Sequence, residues 1–393
     1  MSQLHDLLSE PRGAKEENRR RLLTAIMANP GNQAYLSRRS GLSAAAVSDA
    51  VKELAEAGAI QTRRRGRDVI VEMAPTTGLA VGIELGYQHT AIVARRVDQS
   101  FDEVRVKLCQ AGAARGSGAW LGEVADGIAE VVSELGEQDI VTIGLGIPRM
   151  VDPRQGTLTP PLLPPWETGP DPAELLQDRL RSGNSSLKVL LDNDATLAAL
   201  AESTYAFPDA ETLVYVKVST GVGAGIIIGG AVFRGRRGVA GEIGHAVVEP
   251  GGRFCSCGGR GCLETLIGAD ALVEQAKTAL GHRLQDPPSS LEDLVRKASQ
   301  GHAVCQRVLR EAAMRLGVAL GNLCNVLNPQ VLVIGGAFGR SDAAQLVLGP
   351  CQDGIRQSAM RAACDDEFKV VTSQVKHAAA HGALVLGLQG TTY

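Results

Sequence analysis

One alternation constrains this chain more than any other feature, and it begins at Gly78. Runs of aliphatic and β-branched residues recur at Leu79–Glu84, Thr90–Val97, Ile140–Gly146, Val189–Leu191, Thr212–Val218, Gly225–Ile228 and Val331–Ile334. Their length and composition are those of strands. Helical periodicity falls between and after them, near 117–135, 195–205, 264–281, 289–300, 302–326 and 376–389. Such alternation means α/β architecture. About 315 residues exceed what one small core usually holds, so two lobes are expected. They are expected over roughly 76–196 with the C-terminal helix, and over 197–375.

Residues 1–75 read differently. Lys15–Ala28 is a helix with Leu22, Leu23 and Ile26 on one side, ended by Asn29-Pro30-Gly31. Gln33–Ser40 is a short second helix closed by Gly41. Ser43 can cap a third helix, in which Val47, Val51 and Leu54 form one buried stripe. Gly58 stops it, and two strand-like runs follow, joined by Arg63-Arg64-Arg65-Gly66-Arg67. This order is that of a winged helix-turn-helix. Its third helix would meet base edges in a major groove through Ser43, Ala44, Ala45, Ser48, Asp49 and Lys52. Asp49 would repel phosphate, so it should face a base edge or cap a partner. Arg63, Arg64, Arg65 and Arg67 suit phosphates or the adjacent minor groove. The competing reading is a solvated helix bundle with a basic loop.

Charge agrees with the first reading. Residues 1–75 hold twelve Lys+Arg against nine Asp+Glu, although the whole chain has a net charge of −3. A basic head on an acidic body fits a nucleic-acid partner at the N-terminus only. Met1–Arg21 is polar, and no apolar run is long enough to span a membrane, so a cytoplasmic protein is expected. Its eight cysteines should then be thiols or metal ligands. Aromatic residues make up 3% of the chain, so a sugar site would rest on polar side chains rather than stacked rings.

The sharpest local signal is Glu242-Ile243-Gly244-His245 followed by Cys255-Ser256-Cys257 and Gly261-Cys262. One imidazole and three thiols at short spacing suit tetrahedral Zn²⁺. Four protein ligands, His245, Cys255, Cys257 and Cys262, leave no open position, so such a zinc would be structural. Unmetallated cysteines in a buried turn are the alternative. Cys109, Cys305, Cys324, Cys351 and Cys364 are scattered and read as small core residues.

This knot, with Glu264, resembles the signature of the ROK family of repressors, open reading frames and sugar kinases. Asp192-Asn193-Asp194-Ala195, Ser219–Gly225 and the segment from Asn328 to Gly336 are similar to further family segments. The resemblance covers nearly the whole chain. It implies an actin/hexokinase-like (ribonuclease H-like) pair of α/β lobes, with an N-terminal winged helix in the family's regulators. It also implies sugar contacts by Asn193, Asp194, Glu242, His245 and Glu264, Asp194 matching the general base of family kinases. Each residue has a plainer role open to it. Asp194 could cap a helix, and Glu242 could pair with an arginine.

The first phosphate turn departs from the kinase pattern. The strand ends Glu84-Leu85-Gly86-Tyr87, with Tyr87 where family kinases have a second glycine. Pro148-Arg149 replaces a Pro-Gly, and Pro161-Leu162 stands where an Asn is expected. Arg149 hints at an anionic effector such as a sugar phosphate, or pairs with Asp152. The expected function is therefore a sugar-responsive repressor that binds operator DNA as a homodimer or tetramer. An ATP-dependent sugar kinase is the alternative, and a constitutive DNA binder that has lost its ligand is a third.

Overall fold

The structure is a computed structural model. It describes residues 13–99, 101–136, 139–152, 155–159, 166, 171–180, 187–281, 286–365 and 367–390. The chain divides into two compact units: Met1–Pro208 with Arg236–Gly238 and His377–Tyr393, and Asp209–Gly235 with Val239–Lys376. The helix that begins at Asp194 stays in the first unit to its end.

The first unit opens with α1 (Ala14–Ala28), α2 (Gln33–Ser40) and α3 (Ala44–Glu56). The antiparallel hairpin β1 (Ile60–Arg65) and β2 (Asp68–Met73) follows, Arg65 facing Asp68 across its tip. Short-range chemistry sets the helix ends. Asn32 and Ser43 accept hydrogen bonds from the backbone N–H of Tyr35 and Ala46, capping α2 and α3. The Arg21 guanidinium donates to the Ser40 carbonyl at 2.6 Å, closing α2.

The chain continues through β3 (Leu79–Leu85), β4 (Thr90–Arg96), β5 (Arg105–Cys109), α4 (Ser117–Leu135) and β6 (Ile140–Ile147). The small hairpin β7 (Met150–Asp152) and β8 (Thr157–Thr159) leads to α5 (Pro172–Leu180), β9 (Val189–Asn193) and α6 (Asp194–Ala201). A single π-helical turn, Glu202–Ala206, extends α6. The five-stranded sheet has the order β5-β4-β3-β6-β9. β4 is antiparallel to β3 and β5, and β6 is parallel to β3 and β9. Trp120, Val124 and Ile128 of α4 pack with Ile83, Leu145 and Leu191 of the sheet.

The second unit comprises β10 (Thr212–Val218), β11 (Val222–Ile228), β12 (Ala231–Val232), the single turn α7 (Glu264–Ile267) and α8 (Ala269–Leu280). It continues with α9 (Leu291–Ser299), α10 (Ala303–Leu327), β13 (Val331–Gly336), α11 (Ala344–Ser358) and β14 (Lys369–Thr372). Its sheet runs β12-β11-β10-β13-β14, the connectivity of the first sheet repeated. The last helix, α12 (Ala378–Gln389), returns to the first unit.

α12 joins the N-terminal head to its lobe. Ala380, Leu384 and Leu388 share one apolar cluster with Leu22, Leu23 and Ile26 of α1 and with Ala80, Ala91 and Val93 of the sheet. Gly144 makes this approach possible, since a Cβ there would lie 1.9 Å from the Ala383 carbonyl oxygen. His381 is buried on the same helix, its ring tilted against Phe101 with centroids 4.7 Å apart.

Among the described residues, β5, β7, β8, β12, β14, α5 and α11 escape the sequence pattern. β5 is an edge strand whose Val106 and Leu108 face solvent, so its apolar residues mark the wrong face. α11 carries Pro350 inside it, and α5 is short. The helix expected over 264–281 is broken at Gly268, which caps α8 in extended conformation.

Burial, reinforced by the charges of His377 and Arg95, pushes His381 from 6.5 down to about 4. The folded chain keeps this ring neutral where an exposed histidine would take up a proton. Stability present at neutral pH is therefore lost as pH falls across that window, by up to ~1.4 kcal/mol per pH unit. His381→Phe removes this slope. In urea titrations the free-energy gap between wild type and variant should change steadily between pH 6.5 and 4. A gap independent of pH would contradict the assignment.

Candidate functional site

The cysteine knot lies in the second unit and is built by tight backbone turns. A 3-10 turn at Ile243–His245 precedes it, and β-bridges pair Val247 with Cys262 and Phe254 with Arg260. Gly261 has φ +72, and a Cβ there would sit 1.7 Å from the Glu249 carbonyl oxygen, so only glycine closes the loop. Arg260 covers the Phe254 ring at 4.5 Å and donates through Nε to the Gly252 carbonyl. Arg253 pairs with Glu274 of α8 at 2.9 Å.

One ligand atom from each of His245, Cys255, Cys257 and Cys262 falls within 4.8 Å of the others. Cys255 Sγ lies 3.5 Å from His245 Nδ1, and Cys257 Sγ lies 3.7 Å from Cys262 Sγ. The second distance is far beyond a disulfide bond. Tetrahedral coordination with ordinary metal–sulfur and metal–nitrogen lengths requires edges of about 3.5 and 3.8 Å. These two spacings match edges of a tetrahedral site.

The thiols differ in their surroundings. Burial pushes the Cys262 thiol up to about 12, while the Gly259 N–H, donating to Cys257, holds that thiol below its usual value.

The other expected sugar contacts fall into two groups. His245 Nε2 faces Glu242 Oε2 at 3.8 Å, so the ring turns Nδ1 to the cysteines and its far side to a carboxylate. Glu264 opens α7, and its Oε2 accepts the Val222 N–H at 2.9 Å, bracing the turn through Ser219–Gly221. Asn193 and Asp194 lie in the first unit, at the start of α6. Asn193 is the helix cap: Oδ1 accepts from Thr196 N at 3.0 Å and Nδ2 donates to the Arg149 carbonyl at 3.1 Å. Asp194 is the first helical residue, almost wholly buried, with Oδ1 2.7 Å from the Ala195 N–H. The capping role open to Asp194 thus goes to its neighbour.

At the β3–β4 turn, Gly86 N donates to the His89 carbonyl at 3.0 Å, and Tyr87 is 39% exposed. The carbonyls of Gly86 and Tyr87 accept from Ala113 and Ala114, which tie down the loop. Arg149 Nε is buried without a hydrogen-bond partner. Pro161 and Leu162 lie outside the described residues.

In the head, Ser43, Ala44, Ala45, Ser48, Asp49 and Lys52 are all exposed on α3 or at its cap. Val47, Ala50, Val51 and Leu54 are buried on the opposite face. Arg63, Arg64, Arg65 and Arg67 are exposed on the hairpin. Among the described residues, no helix is long and apolar enough to cross a membrane.

Comparison with known proteins decides the family. The ROK family model matches residues 80–389, and a winged helix-turn-helix DNA-binding model matches residues 15–61. The chain belongs to the ROK family. It is 27% identical to the xylose repressor of Caldicellulosiruptor bescii over 352 residues, covering 82% of this chain and 83% of that protein. It is 33% identical to a glucokinase of Halalkalibacterium halodurans over 248 residues, covering 60% of this chain and 73% of the enzyme. Its fold superposes with a TM-score of 0.72 on a solved ROK transcriptional regulator, a homologue of the Escherichia coli MLC protein. That match has 22% identity and covers 96% of this chain and 97% of the other.

Cys257→Ser should lower the affinity of the cluster for Zn²⁺. Loss of a direct ligand should weaken binding by more than the ~10–100-fold typical of outer-shell changes. Metal analysis of the purified variant after dialysis checks this. Wild-type metal content in the variant would refute it.

Proposed function

We propose that this ROK chain is a sugar-responsive transcriptional repressor. It binds operator DNA through α3 and the β1–β2 wing, and a sugar or sugar phosphate bound to the sensor changes that affinity. The observation that carries the reading is the joining of two matched parts in one chain. A capped recognition helix and an arginine-bearing wing precede a complete ROK sensor. The xylose repressor relative aligns over 82% of the chain, which supports the same assignment.

In this reading the knot holds Zn²⁺ through His245 Nδ1 and the thiolates of Cys255, Cys257 and Cys262. The metal supplies fixed geometry, because no coordination position remains open. His245 Nε2 and Glu242 Oε2, 3.8 Å apart, then offer a donor and an acceptor to a sugar hydroxyl. Glu264 of the second unit, and separately Asn193 and Asp194 of the first, are further polar groups able to bond sugar hydroxyls, each carboxylate as an acceptor. Binding at these residues favours one arrangement of the sensor over another, and the reader follows. DNA reading of this kind usually uses paired half-sites, so the working form is a homodimer or tetramer in the cytoplasm.

The same reading assigns no kinase activity. Phosphoryl transfer depends on positioning and on stabilising charge. Tyr87 brings bulk and no adjacent hydroxyl to the turn that would hold phosphate. A coupled assay with ATP and D-glucose or D-xylose should show no turnover. Sustained rates near the ~10 s⁻¹ typical of enzymes would replace this proposal with the kinase reading.

Selection from a random duplex library should enrich a symmetric pair of half-sites. Arg64→Ala should weaken binding across all sequences and lower the slope of log affinity against log salt by about 0.9. A library that yields no preferred duplex would sink the repressor assignment.

A further inference from the structure

We propose that α6 is a rod linking effector binding to the DNA reader, and that Arg39 is the positioning residue that couples the reader to it. The inference rests on the sugar-responsive reading above and adds the route within the first unit.

The rod begins where the sugar contacts are. Asn193 caps α6 and Asp194 is its first residue. Every residue from Asp194 to Ala201 is buried, so the helix has no solvent side toward which to bend. Close-packed elements of this kind move as bodies between discrete positions. At 1.5 Å per residue, the far end at Thr204 lies about 15 Å from Asp194.

That far end is the π-helical turn Glu202–Ala206. Such turns are rare and are frequent at functional sites. The reader grips this turn. Arg39 of α2 donates from one terminal nitrogen to Ser203 Oγ at 3.0 Å and from the other to Thr204 Oγ1 at 2.8 Å. Asn29, at the end of α1, donates to the Thr204 carbonyl at 3.1 Å. α1 and α2 are the helices against which α3 packs, so a shift of the turn is passed to the recognition helix.

The junction is also incompletely satisfied. His381 Nδ1 is buried without a hydrogen-bond partner, and the buried Tyr205 hydroxyl has the Arg95 guanidinium beside it. Tyr205 stacks on Phe101 at 4.0 Å, and the same ring touches His381. Arg95 is wholly buried and donates to the Met27 and Ala28 carbonyls at the end of α1. Buried polar groups left unmet in one arrangement favour a second that meets them.

The test is a double-mutant cycle in the full-length, zinc-loaded chain, read by amide hydrogen exchange in α3, which needs neither sugar nor operator. Asp194→Asn perturbs one end of the rod and Arg39→Ala cuts the other. Residues this far apart without shared partners act independently unless something connects them. Asp194→Asn should change α3 exchange by about fivefold in the wild-type background and by less than about twofold beside Arg39→Ala. Arg39→Lys, which keeps a donor to the turn, should restore part of the effect. Equal effects of Asp194→Asn in both backgrounds would overturn the proposal. A second arm uses D-glucose and D-xylose against the selected duplex. Arg39→Ala should bind sugar as wild type does, by calorimetry, yet lose the sugar-dependent change in duplex affinity. A sugar response of wild-type size in Arg39→Ala would overturn the rod. A wild-type chain that ignores both sugars would count against the sugar-responsive reading alone, and the exchange cycle would still decide the rod.

Discussion

The close approach of α12 to the backbone of the first sheet is the contact on which most of the first unit depends. Gly144 admits the Ala383 carbonyl, and Gly382 of α12 lies against the Leu197 carbonyl of α6. The same helix closes the sheet, supports α6 and meets α1 of the head within one apolar cluster. Among the described residues, the last helix therefore completes a core begun by the first. A methyl group at Gly144 would force the helix outward, and head, sheet and α6 would lose their common support together.

The knot obeys a different constraint. Its loops hold little apolar burial of their own, and Phe254 is 77% exposed under the Arg260 guanidinium. Shape comes from β-bridges, a glycine at positive φ and four donor atoms drawn to one point. Three thiols held this close repel one another once ionised, so a cation among them would relieve the repulsion. His245 then joins two chemistries, with Nδ1 toward sulfur and Nε2 toward Glu242.

Legibility in the sequence followed burial. Strands with both faces covered, such as β3, β4 and β10, stand out as continuous apolar runs and lie where the pattern puts them. β5 does not, because its apolar side chains face solvent at an edge. The knot and the capped helices of the head were readable because spacing and capping are local. Asn193 was readable as part of a motif but not as the cap. Nothing in the run Thr90–Val97 marks Arg95 as wholly buried, which it is.

By itself the sequence determined the α/β class, the winged helix, the four-ligand cluster and the family resemblance, since each rests on residues close together in the chain. Only the tertiary structure decided that both sheets share one strand order, that head and first lobe share a core, and that Arg39 and Asn29 hold the π-helical turn of α6. Those facts join residues separated by more than 150 positions, such as Asn29 and Thr204. Local propensity carries no information about such pairs. Packing, which brings α1, α6 and α12 together around one cluster, is what creates them.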